Sequence, residues 1–143
     1  MFNYDLKTKI ISGFILALLI AGASWLVSYN RSRSQDLLTV IQAKNLAIAL
    51  EKYYDQRQNY PIASSMPVDD IMQISEQGIN QEGNKVYWQT TGVWPRSATY
   101  VGQSDNYAIY FTLENAWTIW GLKSLKGGVC GFTKNVVWQC QAQ

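Results

Sequence analysis

The chain has 143 residues, 48% of them hydrophobic, and twelve Lys and Arg stand against ten Asp and Glu for a net charge of +2. That length suits one ordinary domain with a hydrophobic segment attached, and the scattered charges form no basic stripe, so nucleic acid is not an expected partner. There is no histidine, which removes the commonest general base and metal ligand, so no catalysis, metal or cofactor is expected.

From Ile10 to Tyr29 the chain reads IISGFILALLIAGASWLVSY, twenty residues without a charge, enough at 1.5 Å per residue to cross about 30 Å of hydrocarbon. Residues 1–9 then form a short cytoplasmic segment and residues 10–29 the transmembrane half of a helix. Ile10, Ile11, Gly13, Phe14, Ile15, Leu16, Leu18, Leu19, Ile20, Gly22, Trp25, Leu26 and Val27 supply its apolar surface, and Trp25 with Tyr29 suits one membrane interface. Lys7 and Lys9 precede the run, while Arg31 and Arg33 follow it. A cleaved signal peptide is the rival reading, because Ala21-Gly22-Ala23 fits the small-x-small cleavage pattern; against it, SWLVSY continues apolar where a cleavage region turns polar. Both readings put the remainder outside the cytoplasm, and the retained anchor is preferred.

Beyond Arg33 the pattern is amphipathic. Leu37, Val40, Ile41, Lys44 and Ile48 fall on one side, and Ala43, Leu46, Ala47, Leu50, Tyr53 and Tyr54 recur at steps of three and four. No proline separates this stretch from the apolar run, so one helix from about Lys9 to Gln56 is expected, with residues 30–59 as its amphipathic half. The serines and Asp36 of NRSRSQD suit the cap of a second helix as well as the continuation of the first. Pro61 requires the helix to stop before it, with Asn59 as a tolerable terminating residue. Ala49, Leu50, Tyr53, Tyr54, Tyr60 and Pro61 then make a helix-to-head joint, in which the tyrosines pack the helix end onto the head and Tyr60-Pro61 turns the chain back.

Residues 60–143 read as a small antiparallel head. Pro67, Asp69 and Asp70 open a short helix through Ser75, with Val68, Ile71 and Met72 inward. Gly78 to Asn84 is a polar loop, while Lys85 to Gln89 and Thr99 to Val101 read as strands. NYAIYFTLE, Asn106 to Glu114, is the clearest strand, with Tyr107, Ile109, Phe111 and Leu113 on one face and Gly102 to Asp105 as the hairpin turn before it. VVWQCQ, Val136 to Gln141, is the last strand. Cys130 and Cys140 read as one disulfide in an exported protein, with two reduced buried thiols as the alternative. The fold class is α+β, a long helix packed on a small antiparallel sheet.

ALEKYYDQRQNYP (Ala49 to Pro61), YVGQSDNYAIYFTLE (Tyr100 to Glu114) and the terminal cysteine pair, behind one amino-terminal apolar segment, resemble the type IV pilin and type II secretion pseudopilin superfamily. The resemblance implies a pilin-like fold, whose helix begins in the membrane, becomes the filament core, and carries a four-stranded antiparallel sheet on its second half. It implies a structural subunit or accessory component of a pilus-like filament or secretion pseudopilus. The partners are then membrane lipid, copies of itself or other pilin-like subunits, and the assembly machinery. The location is the inner membrane, single-pass with an extracytoplasmic head, or an extracellular filament. Members of the superfamily carry a leader ending in Gly, then Phe, then a Glu five residues into the mature chain. Here Gly13-Phe14 lies inside the apolar run with Leu18 where the Glu would stand, and counting back from Ala49 puts the mature start near Tyr4, amid polar residues. Major pseudopilins also hold calcium on acidic side chains near the carboxyl end, whereas Lys123 to Lys134 has three lysines and no acid.

The competing reading is a membrane-anchored, adhesin-like binding module that does not polymerise. Trp94 with Arg96, and Trp120 with Lys123, would pair aromatic faces with cations on its surface. Packed or loop-anchoring aromatics are the commoner explanation. The small residues Gly13, Ala17, Ala21, Gly22 and Ala23 permit close helix contact and are equally ordinary in an anchor. The acids form no recognisable catalytic pair, and no nucleophile has a base in evidence, so an enzyme is not expected.

Overall fold

The computed structural model describes residues 6–115, 118–119, 122–123 and 128–141. One α-helix, α1 (Leu6–Arg57), runs unbroken for 52 residues, about 78 Å at 1.5 Å per residue. The stretch Asn30 to Asp36 continues the first helix and does not cap a second. The helix ends two residues before the expected boundary at 59, and Gln58 rather than Asn59 terminates it. Gln58 takes the left-handed conformation, φ 58°, its N–H returns to the Tyr54 carbonyl at 2.7 Å, and its side-chain amide reaches the Asp55 carbonyl at 3.2 Å. That long amide satisfies a last-turn carbonyl that would otherwise lack a partner.

The two halves of α1 live in different surroundings. Every residue from Ile10 to Arg31 is exposed, whereas from Asp36 onward a stripe is buried. Of the two expected stripes, the one built on Ala43, Leu46, Ala47, Leu50 and Tyr53 meets the sheet, joined by Val40. Leu38 and Ile48 face away, 47% and 37% exposed.

Among the described residues ten short strands follow: β1 (Ala63–Pro67), β2 (Gln73–Ser75), β3 (Gly78–Ile79), β4 (Val86–Gln89), β5 (Ala98–Gly102), β6 (Tyr107–Thr112), β7 (Thr118–Ile119), β8 (Leu122–Lys123), β9 (Val129–Thr133) and β10 (Val137–Gln141). They form a five-stranded sheet ordered β1-β5-β6-β9-β10, a three-stranded sheet ordered β3-β2-β4, and the pair β7-β8, all antiparallel. The expected single four-stranded sheet is therefore corrected. The polar β1, ASSMP, lacks apolar alternation and becomes a strand only because the turn at Pro61 lays it beside β5, Met66 opposite Tyr100. The expected short helix through Ser75 is also corrected: one 3-10 turn, Val68–Asp70, gives way to β2. The Asn80 side chain accepts the N–H groups of Met72 and Gln73, at 2.7 and 3.3 Å, and holds that segment extended.

The core lies between α1 and the sheets. Leu46, Leu50, Tyr60, Ile71, Ile74, Tyr100, Tyr107, Ile109, Leu113 and Phe132 are almost fully buried. Trp138 caps it, its ring 5.8 Å from Phe111 and 5.2 Å from Phe132. Cys130 and Cys140 stand directly opposite on β9 and β10, Cα atoms 4.1 Å apart, and are disulfide-bonded. Closing a loop of this size stabilises the fold by about 2 to 3 kcal/mol through the unfolded chain; replacing both cysteines by alanine is expected to lower unfolding stability in detergent by that amount, measured by denaturant titration. A second expectation concerns Gly102, where an added Cβ would overlap the Pro61 carbonyl oxygen and the Tyr100 hydroxyl. These two groups are hydrogen-bonded at 2.6 Å. Gly102→Ala is therefore expected to cost about 1 to 3 kcal/mol in the same titration.

Candidate functional site

Among the described residues the most extensive exposed apolar surface is the first half of α1. Ile10, Ile11, Phe14, Ile15, Leu16, Leu18, Leu19, Ile20, Trp25, Leu26 and Val27 are each more than half exposed, and the Cβ positions of Gly13 and Gly22 face open space. Among the described residues this is the one helix long and apolar enough to cross a membrane. Apolar surface on this scale is rarely left to water, and the segment is long enough to cross a bilayer. Local chemistry is consistent with that. The Ser24 hydroxyl donates to the Ile20 carbonyl at 2.8 Å, so its polar group is satisfied within the helix. Trp25 and Tyr29, one turn apart at the head-side end, stack at 5.9 Å.

The head is seated on the helix at two places. The first is Asp36, whose side chain is fully buried. Its carboxylate pairs with Arg96 Nε at 3.2 Å and accepts the backbone N–H groups of Glu114 and Asn115, at 3.4 and 3.0 Å, and the Asn115 side-chain amide at 2.7 Å. Ser32, one turn earlier, donates to the Glu114 carboxylate at 2.7 Å and accepts from Arg96 and Asn115. Arg96 also pairs with Glu114 at 2.6 Å. A buried carboxylate is tolerable only with such a full set of donors. Sequence reading missed this role, although the signal was there: Asp36 lies four and seven residues before Val40 and Ala43, on the buried stripe.

This seat corrects the surface-binding expectation for Trp94 and Arg96. Trp94 is 5% exposed and its backbone N–H donates to the Asp69 carboxylate at 3.2 Å, while Arg96 is committed to Asp36 and Glu114. Trp94 is core and Arg96 a clamp, because the core needs the ring and Asp36 needs the cation. Trp120 lies outside the described residues; Lys123 is placed in β8 by its backbone alone.

The second seat is the joint at the helix end. Ala49, Leu50, Tyr53 and Tyr60 are buried, and Tyr54 and Pro61 are half-buried. Tyr54 stacks on Tyr60 at 4.6 Å, and Tyr60 meets Tyr107 edge-on at 4.9 Å. Glu51, unremarked in the sequence, organises the cluster: it accepts the Tyr60 hydroxyl at 3.0 Å and the Asn135 N–H at 2.6 Å. Asn135 holds the left-handed turn before β10, φ 61°. Lys134 rests over Tyr54 at 4.8 Å and donates to the Asp105 carbonyl at 2.9 Å. The Tyr60 N–H donates to the Ser104 carbonyl at 3.0 Å, tying the Tyr60-Pro61 turn to the β5-β6 hairpin. Burial, and then the Glu51 carboxylate, push the Tyr60 and Tyr107 phenols well above their ordinary value, and burial does the same to Tyr100.

Among the described residues no group of three or more His, Cys, Asp or Glu is placed to hold a metal ion. An opening beside the joint, about 440 Å³ and lined by Tyr53, Tyr60, Ile62, Met66, Ile79 and neighbouring amides, contains no acid, lysine or arginine. Comparison with family models, with curated proteins and with solved structures finds no match to this chain.

Two outcomes follow from the seats. Asp36→Ala takes an acceptor from three N–H donors and from Arg96, which keeps Glu114 and Ser32, and is expected to cost about 3 to 5 kcal/mol in unfolding stability, with Asp36→Asn recovering part of the loss. The tyrosines make stability depend on alkaline pH. Their folded values lie above the ordinary 10.0, so the native state keeps protons that the unfolded chain releases. Their contribution is complete below that value and is lost as pH rises beyond it. Ultraviolet phenolate absorbance followed together with near-ultraviolet dichroism is expected to show these tyrosines ionising only as the head unfolds.

Proposed function

We propose that this protein is a structural subunit or accessory component of a pilus-like filament or secretion pseudopilus, held in the inner membrane by the first half of α1 with its head outside the cytoplasm. One observation carries the reading: a single helix changes from wholly exposed and apolar, Ile10 to Tyr29, to buried under antiparallel sheets from Asp36 onward. The ALEKYYDQRQNYP joint supports it, because its tyrosines and Glu51 fasten the helix end to the head. The buried Trp94 and the committed Arg96 withdraw the support they offered to an adhesin-like module.

The mechanism is physical. Lipid and neighbouring helices are equally apolar, so transfer of α1 from bilayer to filament brings little hydrophobic gain and rests on close side-chain packing. The apolar run contains no acid, so that contact uses packing alone. Rigid seating of the head at Asp36 and Glu51 then passes the position of each helix to the outer surface.

The test is to express the full chain in a bacterial host, fractionate the membranes, and examine sheared material by electron microscopy with intact-mass measurement of what is released. Fibres containing this chain, or its co-purification with pilus or secretion assembly proteins, are the expected result. A chain found alone in the membrane, with its head in the cytoplasm and accessible to protease only after lysis, overturns the proposal.

A further inference from the structure

The face of α1 turned away from the sheets carries its own pattern. Ser34, Leu38, Ile41, Asn45 and Ile48 recur at alternating steps of four and three residues, the a and d spacing of a coiled coil. At about 100° per residue they lie within roughly 40° of one direction, opposite the buried stripe of Val40, Ala43, Leu46, Ala47, Leu50 and Tyr53. Ser34, Leu38, Asn45 and Ile48 are exposed and Ile41 is half-buried. The outward side of a helix that simply faces water is polar; here three of the five residues are aliphatic. The same spacing continues back through Arg31 into the apolar run, at Val27, Ser24, Ile20, Ala17 and Gly13.

We propose that α1 pairs with α1 of a second copy of this chain, parallel and in register, along this seam. The period identifies a helix as the partner, since an alternation of three and four keeps one helix facing another over successive turns, and lipid imposes no such spacing. The apolar run sets every copy at the same depth and in the same direction, so residue 45 of one copy meets residue 45 of the next. Asn45, at an a position, then finds a side chain able to return its hydrogen bonds, whereas an aliphatic partner would leave its amide unsatisfied. Gly13, Ala17 and Ser24 allow close approach within the bilayer, and the small Ser34 does the same at the start of the head-side seam. Arg31 and Lys52 also fall on the spacing, and like charges facing one another would repel. Close contact beyond the membrane is thus bounded to Ser34 through Ile48, about 21 Å of helix. This pairing goes beyond the filament reading and stands without it.

The test uses the full chain in host membranes, where the two native cysteines are bonded to each other and an introduced cysteine is the one free thiol. Leu38→Cys and Asn45→Cys place it on the seam, Lys44→Cys on the flank, and Glu82→Cys in the head. Mild oxidation and non-reducing electrophoresis are expected to yield about tenfold more covalent dimer at 38 and 45 than at 44 and 82. Equal yields at all four positions, or none at 38 and 45, overturn the proposal. Asn45→Leu is expected to shift the detergent-solubilised protein from dimer toward larger species by sedimentation, and an unchanged distribution overturns the role given to Asn45. Fibres without cross-linking at 38 and 45 would sink the pairing alone; cross-linking by a chain found alone in the membrane with its head in the cytoplasm would sink the filament reading alone.

Discussion

A carboxylate with no access to solvent, Asp36, is the constraint around which the rest of this molecule is arranged. It sits about two turns past Tyr29, at the point where α1 passes from its exposed apolar half into a folded head. Isolated, it would be costly; supplied with Arg96, two backbone N–H groups and an amide, it becomes the fastening that draws the segments at 94–96 and 113–115 onto the helix. Ser32 extends that fastening one turn toward the apolar half of α1. The helix therefore needs no break at the boundary, because the head comes to it.

Glu51 repeats the arrangement at the other end. It lies fifteen residues further on, about 22 Å along the axis and on a similar side of the helix, and it gathers Tyr60, Tyr107 and the turn before β10. Two separated fastenings hold the head against rotation about either one, and the apolar contacts of Leu46, Ala47 and Leu50 fill the interval between them. A head held in this way moves with its helix. That property is useful to any protein whose helix packs among other helices while its outer surface meets a partner.

The outward side of α1 has a different logic from the side under the sheets. Burial is satisfied on one side by β6, β9 and the three-stranded sheet, yet aliphatic residues recur on the other at a spacing that one copy of the chain does not use. An isolated domain gains nothing from Leu38 and Ile48 in water. Their cost is offset if a partner covers them.

Much of this was legible in the sequence, for reasons that are local. The long apolar run, the helical period after it, the alternation of Tyr107, Ile109, Phe111 and Leu113, and the stop imposed by Pro61 depend on near neighbours alone, and the structure agrees with each. The pairing of Cys130 with Cys140 was legible for the same reason, since two cysteines in a short terminal stretch have few alternatives. What depended on contacts distant in sequence was not legible. β1 is a strand only because β5 lies beside it, the Gln73–Ser75 segment is extended only because Asn80 holds it, and Trp94 is core only because the fold closes over it. Asp36 suited a helix cap and Glu51 drew no role until residues 60 and 84 positions away in the chain supplied their partners. The sequence by itself thus determined where the helix runs, which half can leave water, and the existence of a small antiparallel head. Only the tertiary structure decided which polar residues were taken into the interior, because burying a charge depends on partners that no neighbouring residue provides.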